Sequence, residues 1–246
     1  MTLQQMRTFR SLLLVLATTS TASVAHAQSP QQIQRGVEEA LRNEGDLRRI
    51  QVSVVGNEVI LGGQVPTFWA KSEALRLTFL VPGVDTIASE LEIPAAEDDA
   101  NLAEDVAAAL QRYAHYTIWD QIDGRINEGA VTLTGRVTPE RDKASEIFER
   151  VAKIRGVQDV QSSIKTLPPS QSDQRLRSNI ARRVFRSSHF QRVAGMLNPP
   201  FHIIVHNSVV TLVGYVQGEI EQRELVRIVT QTQGVLRVEN QLLRVR

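Results

Sequence analysis

One strand-like pattern occurs three times along this chain, and it constrains the fold more than any other feature. Apolar residues alternate around a glycine in the form V-x-L-x-G-x-V, starting at Val59, Val131 and Val210. The glycines of the three copies are 72 and then 79 residues apart, and they are Gly63, Gly135 and Gly214. In a chain of 246 residues, this period predicts three small tandem units rather than one large domain.

Two further features repeat in step with the strand pattern. A Gly-Val pair follows each copy by about 20 residues, as expected where a helix ends at a glycine, and its glycines are Gly83, Gly156 and Gly234. An apolar i, i+4, i+8 series precedes each copy, and these series begin at Ile33, Leu102 and Leu176. Such a series is typical of one face of an amphipathic helix.

The order of these features predicts the fold of each unit. Alternating strands joined by a short polar turn form a hairpin, and a helical crossover makes the third strand parallel to the second. The chain is therefore expected to be an α+β protein of three tandem α-β-β-α-β modules. Each module would have a three-stranded mixed sheet with two helices packed on it, and the expected domains span 31–93, 100–167 and 174–246.

Several local expectations follow from the same segments. Thr138 and Pro139 predict the start of the second helix of unit two, with threonine as its cap. Ile118 keeps the parity of Ile122 and Ile126, so it is expected in the first strand of that unit. The strand glycines are expected where a helix packs closely on the sheet. The Pro/Ser-rich segment 168–173 predicts an extended linker.

The N-terminus is typical of a secretory signal peptide. Arg7 and Arg10 precede the apolar stretch 12–17, and Ala25-His26-Ala27 supplies a small-residue cleavage pattern before Gln28. The apolar stretch is far shorter than the ~20 residues of a membrane span. We therefore expect residues 1–27 to be removed near Ala27, leaving a periplasmic or secreted chain with no transmembrane span. The chain contains no cysteine, which excludes disulfides and thiolate chemistry.

Charge separates the third unit from the first two. Residues 33–93 carry six basic and nine acidic side chains, net −3, and residues 94–167 carry nine and thirteen, net −4. Residues 168–246 carry eleven basic and five acidic side chains, net +6. This asymmetry predicts an anionic partner for the third unit.

Two neighbouring segments of the third unit are candidates for that contact. At about 100° per residue, Arg175, Arg182 and Arg186 share one stripe of the predicted first helix, with Arg183 on its flank. They form either a solvated helix face or a site for phosphate or carboxylate. The connection that follows contains Phe190, Arg192, Val193, Met196 and Leu197. Its apolar residues either fold over the core as an extra helical turn or form an exposed patch for a membrane or partner.

The residues offer little that would support catalysis. His202 and His206 are expected on one face of a strand, roughly 13 Å apart and too far to share a metal ion. Tyr113, Tyr116 and Trp119 could stack on a sugar or base, but core packing explains them better. No nucleotide-binding or nucleophile motif is present in the sequence. We therefore predict no enzyme activity, no catalytic residues, no cofactor, no metal and no nucleic-acid partner.

The repeated unit resembles the BON domain family. The resemblance is closest in residues 234–242, which follow the form G-V-x-x-V-x-N-x-L, whereas Glu90 and Ser163 lie near where the asparagine would fall. The resemblance implies a small α/β sandwich, export to the bacterial envelope, similarity to stress-induced periplasmic proteins, and binding rather than catalysis. We expect a non-enzymatic envelope protein whose third module binds anionic phospholipid. The alternative is a protein-protein adaptor or chaperone-like stress protein that binds polypeptide.

Overall fold

The computed structural model describes residues 29–95, 98–194, 196 and 198–245. Each unit follows the same order of elements. Unit one has α1 (Pro30–Arg42), β1 (Gln51–Val55), β2 (Glu58–Gln64), α2 (Phe68–Phe79) and β3 (Thr86–Glu92). Unit two has α3 (Asp99–Gln111), β4 (Gln121–Asn127), β5 (Ala130–Val137), α4 (Lys143–Ala152) and β6 (Asp159–Thr166). Unit three has α5 (Gln171–Arg186), β7 (Phe201–His206), β8 (Val209–Gln217), α6 (Gly218–Thr230) and β9 (Arg237–Val245).

The three sheets have the predicted topology. In each unit the first two strands pair as an antiparallel hairpin, and the third strand pairs in parallel with the second. Both helices of a unit contribute buried side chains to the core on one face of the sheet, as the i, i+4, i+8 series predicts. The α+β class and the threefold α-β-β-α-β arrangement are therefore confirmed.

The strand glycines occupy equivalent positions in the three sheets, but not for the reason expected. Gly63, Gly135 and Gly214 pair with Leu91, Ile164 and Leu242 of the parallel strands. All three have positive φ, and a Cβ at Gly135 would lie 2.0 Å from the carbonyl oxygen of Gln121 in the neighbouring strand. The close contact is therefore with the first strand of the hairpin, and the expectation of a helix pressing on the sheet is wrong.

Capping side chains place two helix starts differently from the sequence expectation. Helix α4 begins at Lys143 with Asp142 as its cap, because Thr138 is used elsewhere: its amide and hydroxyl both donate to the buried carboxylate of Asp120. Helix α5 begins at Gln171, since the Ser170 hydroxyl accepts from the amide of Asp173 at 3.2 Å. Of the segment 168–173, expected to be an extended linker, residues 171–173 thus lie in the first turn of this helix, and 168–170 precede it.

Unit one packs on unit two through aromatic residues at the start of α2. Phe68 and Trp69 contact the core of unit two. The Phe68 ring meets Phe148 edge-on with centroids 6.4 Å apart, and the Lys153 ammonium lies 5.2 Å from the centroid of Trp69. This contact joins α2 directly to α4.

Unit two inserts a side chain into the core of unit three. Ile118 lies in the turn before β4 rather than in a strand, and it belongs to the buried cluster of unit three. Its carbonyl accepts from the amide of Ile203 at 2.7 Å, so this turn pairs with the free edge of β7. The prediction that Ile118 continues the first strand of unit two is wrong, because its apolar partner is the next unit.

Candidate functional site

The first helix of unit three carries a row of exposed arginines. Leu176, Ile180 and Val184 bury one side of α5 against the sheet, as their spacing predicts. Arg175, Arg182, Arg183 and Arg186 are exposed, and we refer to these four residues as the arginine face. From Arg175 to Arg186 the face extends about 16 Å along the helix axis.

The arginine face has no carboxylate partner within the described residues of the chain. Arg182 donates to the amide oxygen of Asn179, and Arg183 donates to the carbonyl of Gln231 at 2.8 Å. Four glutamates of unit three form ion pairs with other arginines: Arg192–Glu221, Arg223–Glu219, Arg227–Glu224 and Arg237–Glu239. The excess positive charge of the unit is thus concentrated on α5.

The remaining acid of unit three holds the helix in place. Asp173, in the first turn of α5, is buried and accepts from the amides of Asn207 and Ser208 at 2.9 and 3.0 Å. These two amides lie in the β7–β8 turn, so Asp173 fixes the start of α5 to the end of the sheet. Asp99 makes the same pair of bonds to the β4–β5 turn in unit two. An aspartate in the first turn of both helices is the sequence signal that could have predicted this contact.

Arg177 is the arginine of α5 that sequence reasoning missed. It points away from solvent, is 5% exposed, and donates to the carbonyl of Val205 at 3.0 Å. Burial lowers its pKa, and the nearby Glu140, Asp173 and Asp120 oppose that shift. Arg177 therefore contributes to packing between the helix and β7, not to the exposed arginine face.

The connection after α5 folds down over the core. Phe190 is fully buried and meets Phe201 edge-on at 5.5 Å between ring centroids, and Val193 is buried in the 3-10 turn Gln191–Val193. The proposal that Phe190 contacts lipid is therefore wrong, because its ring fills the core. Arg192 is half-exposed but forms a bidentate pair with Glu221.

Two apolar residues of the predicted patch remain, Met196 and Leu197. Met196 is 46% exposed. Leu197 lies outside the described residues. Among the described residues of the connection, Phe190 and Val193 are buried and Met196 is the exposed apolar side chain of the predicted patch.

The other candidate side chains serve packing within the described part of the chain. Burial lowers the pKa of His202, which contacts the ring of Tyr116 at 5.1 Å between centroids and the carbonyl of Thr117 at 3.3 Å. Unit two therefore covers His202 on the side of the sheet opposite the core of unit three. Tyr113 and Tyr116 are buried in the core of unit two and offer no stacking platform. No cluster of metal-ligating side chains occurs among the described residues.

These observations define the class of protein: tandem α-β-β-α-β modules, one of which exposes a charged helix. We find no arrangement of catalytic side chains among the described residues. The model of the BON domain matches three consecutive regions, 29–95, 98–168 and 172–245. The chain belongs to the BON domain family and contains three tandem copies of the domain. BON domains occur in envelope and periplasmic proteins and are binding domains rather than enzymes.

Solved structures similar to this chain include two of CdsD, a structural protein of the type III secretion system of Chlamydia trachomatis, the first of them of its C-terminal domain. The first is 15% identical and covers 86% of this chain and 96% of that one, with a TM-score of 0.25. The second is 14% identical and covers 86% and 92%, also with a TM-score of 0.25. A search among curated proteins finds no significant match. None of the helices in the described ranges is long and apolar enough to cross a bilayer.

Proposed function

We propose that this protein is a non-enzymatic component of the bacterial envelope whose third unit binds anionic phospholipid surfaces through the arginine face. The observation that carries the proposal is the row of four exposed arginines without ion-pair partners in the described structure. A guanidinium group can donate hydrogen bonds to two oxygens of one phosphate at the same time. Each basic residue near an anionic membrane contributes about 1 kcal/mol to the free energy of binding.

The comparison between units supports a role specific to unit three. Helices α1 and α3 carry the same apolar series. Arg186 has a basic equivalent in unit two, Arg112, but the positions equivalent to Arg175, Arg182 and Arg183 are not basic. They are Gln32, Glu39 and Ala40 in α1, and Asn101, Ala108 and Ala109 in α3. Units one and two form the same fold without arginine at these three positions, so the fold does not require arginine there.

Reversing the charge of the arginine face is expected to abolish binding to anionic vesicles. The variant Arg175→Glu, Arg182→Glu, Arg186→Glu loses three attractions of about 1 kcal/mol each, which corresponds to at least a hundredfold loss of affinity. Flotation with vesicles of equimolar phosphatidylglycerol and phosphatidylcholine measures this loss. Moderate salt should weaken binding of the unmodified protein, because exposed charges are screened.

A matched control separates the arginine face from net charge. Arg223, Arg227 and Arg237 lie in the same unit and are exposed, but each pairs with a glutamate. Replacing these three with glutamate changes the net charge equally and should weaken binding much less. Equal loss in both triple variants would contradict a specific face. The full exported chain is used, because separating unit three would remove Ile118 from its core.

The second candidate function, binding of polypeptide, is favoured by a different surface. On the outer face of the third sheet, Tyr215, Leu243 and Val245 are 53%, 56% and 56% exposed, and Tyr215 pairs with Leu243 in register. An exposed apolar surface of this kind is typical of protein contacts. If the unmodified protein ignores anionic vesicles at low salt, this adaptor or chaperone-like role replaces the lipid proposal.

Export is the remaining part of the proposed function. The signal peptide at 1–27 lies outside the described residues, and its support is the sequence pattern that ends at Ala27. The periplasmic product is expected to begin at Gln28, as measured by intact-mass and N-terminal peptide analysis of fractionated cells. Ala25→Arg should block cleavage, since small residues are needed there, whereas Thr21→Ser should not. A cytoplasmic product that retains Met1 would contradict export.

A further inference from the structure

We propose that Leu236 inserts into the apolar layer of the membrane beside the arginine face, an inference that rests on the proposed lipid-binding function. Leu236 lies between α6 and β9 and is 81% exposed, more than any other large apolar side chain in the described residues. A leucine held this far out of the core gains nothing from folding.

Backbone hydrogen bonds fix Leu236 at the end of the unit where α5 begins. Its amide donates to the carbonyl of Ser208 at 2.9 Å. The amide of Ser208 in turn donates to Asp173, in the first turn of α5, at 3.0 Å. Two hydrogen bonds therefore connect Leu236 to the first turn of the helix that carries the arginine face.

The connection 231–236 also runs beside the arginine face. Arg183 donates to the carbonyl of Gln231 at the start of this connection. A Cβ placed on Gly234 would lie 3.7 Å from Cδ1 of Leu176, the residue that follows Arg175. The connection contains no acidic residue, so nothing in it repels an anionic surface.

The equivalent positions of the other units show that the fold does not require leucine. Asp85 and Gln158 also follow a Gly-Val pair, and their amides make the same bond to the hairpin turn, to Asn57 and Gly129, at 3.0 Å each. Both side chains are polar. Only the unit with an arginine face has an apolar side chain here, which matches a surface that is anionic outside and apolar beneath.

The absence of cysteine allows a direct measurement of insertion. Leu236→Cys in the full exported chain gives a single thiol for an environment-sensitive fluorophore. With equimolar phosphatidylglycerol and phosphatidylcholine vesicles, the emission of this label should shift to the blue. The control is Leu243→Cys, another exposed leucine of unit three that lies on the outer sheet face and should show no shift. A label at 236 that stays in water while the protein floats with vesicles would overturn the insertion but leave the lipid proposal standing.

An affinity measurement provides the second test. Leu236→Asp introduces the residue found at the equivalent position of unit one, so the variant is expected to fold. It should bind these vesicles at least about tenfold more weakly, the loss expected when one leucine is no longer buried. Leu243→Asp should bind as the unmodified protein does. If both variants bind normally, or both lose affinity equally, the assignment of Leu236 is wrong. If the unmodified protein does not bind vesicles, the proposed function itself fails.

Discussion

Replacing Asp120 with alanine is expected to destabilise unit two by about 3–5 kcal/mol, because it leaves the buried ammonium of Lys143 with only the exposed carboxylate of Glu140, 3.8 Å away. The Asp120 carboxylate is fully buried and lies 2.8 Å from Nζ of Lys143, which is also buried. It further accepts from the amides and hydroxyls of Thr117 and Thr138. Urea unfolding of the full chain, followed by hydrogen exchange in β4 and α4, measures the loss.

The neighbouring Asp123 provides the control for this prediction. It is exposed, and among the described residues it accepts only from the side chain of Gln121. Asp123→Ala should change the free energy of unfolding by no more than about 0.5 kcal/mol. If Asp120→Ala has an equally small effect, the buried pair does not stabilise the turn. Exchange should increase in unit three as well, because the same turn places Ile118 in its core.

The substitution Gly135→Ala is expected to destabilise unit two by about 2–4 kcal/mol, through backbone strain and overpacking. Gly135 has a φ of 140°, and the added Cβ would lie 2.0 Å from a backbone oxygen that cannot rotate away. Gly214→Ala should have the next largest destabilising effect, because its Cβ would lie 2.5 Å from the carbonyl oxygen of Pro200. Gly63→Ala should destabilise its unit least, because the nearest atom would be 3.6 Å away.

Thermal unfolding and limited proteolysis of the three variants test this order. Gly124→Ala in β4 is the control, because its φ is ordinary and the nearest atoms would be 3.9 Å from the added Cβ. It should leave stability close to that of the unmodified chain. Equal effects at Gly63 and Gly135 would show that the approach of the neighbouring strand is not the cause.

The repeat made the fold of each unit predictable, since periodicity reports which side chains face a shared core. The sheet topology followed from strand order and the helical crossover. Contacts between units have no period, so they could not be predicted in this way. Ile118 fits the alternating pattern of the strand that follows it in unit two, yet it packs in the core of unit three. His202 lies on the face of its strand that points away from the core of unit three, and unit two covers it there.

The candidate site was predictable only in part, for a related reason. Helical spacing placed the arginines of α5 on exposed sides of the helix, because a helix fixes the direction of each residue. The connection after α5 has no such constraint, and its phenylalanine turned into the core. The sequence around Leu236 does not by itself predict that this side chain is exposed. Only the comparison with Asp85 and Gln158, together with the exposure of each, separates it from a core residue.

In units two and three, an ion pair holds the connection between the first helix and the first strand against the second helix. The charges are reversed between the units: the helix supplies the lysine in unit two and the glutamate in unit three. Lys143 and Glu221 each precede the helix-end glycine by thirteen residues, and they pair with Asp120 and Arg192. A connection exchanged between the two units would place Asp120 against Glu221, or Arg192 against Lys143, at a buried position. Like charges at these positions are unfavourable, so each ion pair favours the connection and the helix of the same unit. The two inverted pairs thus disfavour an exchange of connections between units two and three, although the two units have the same fold.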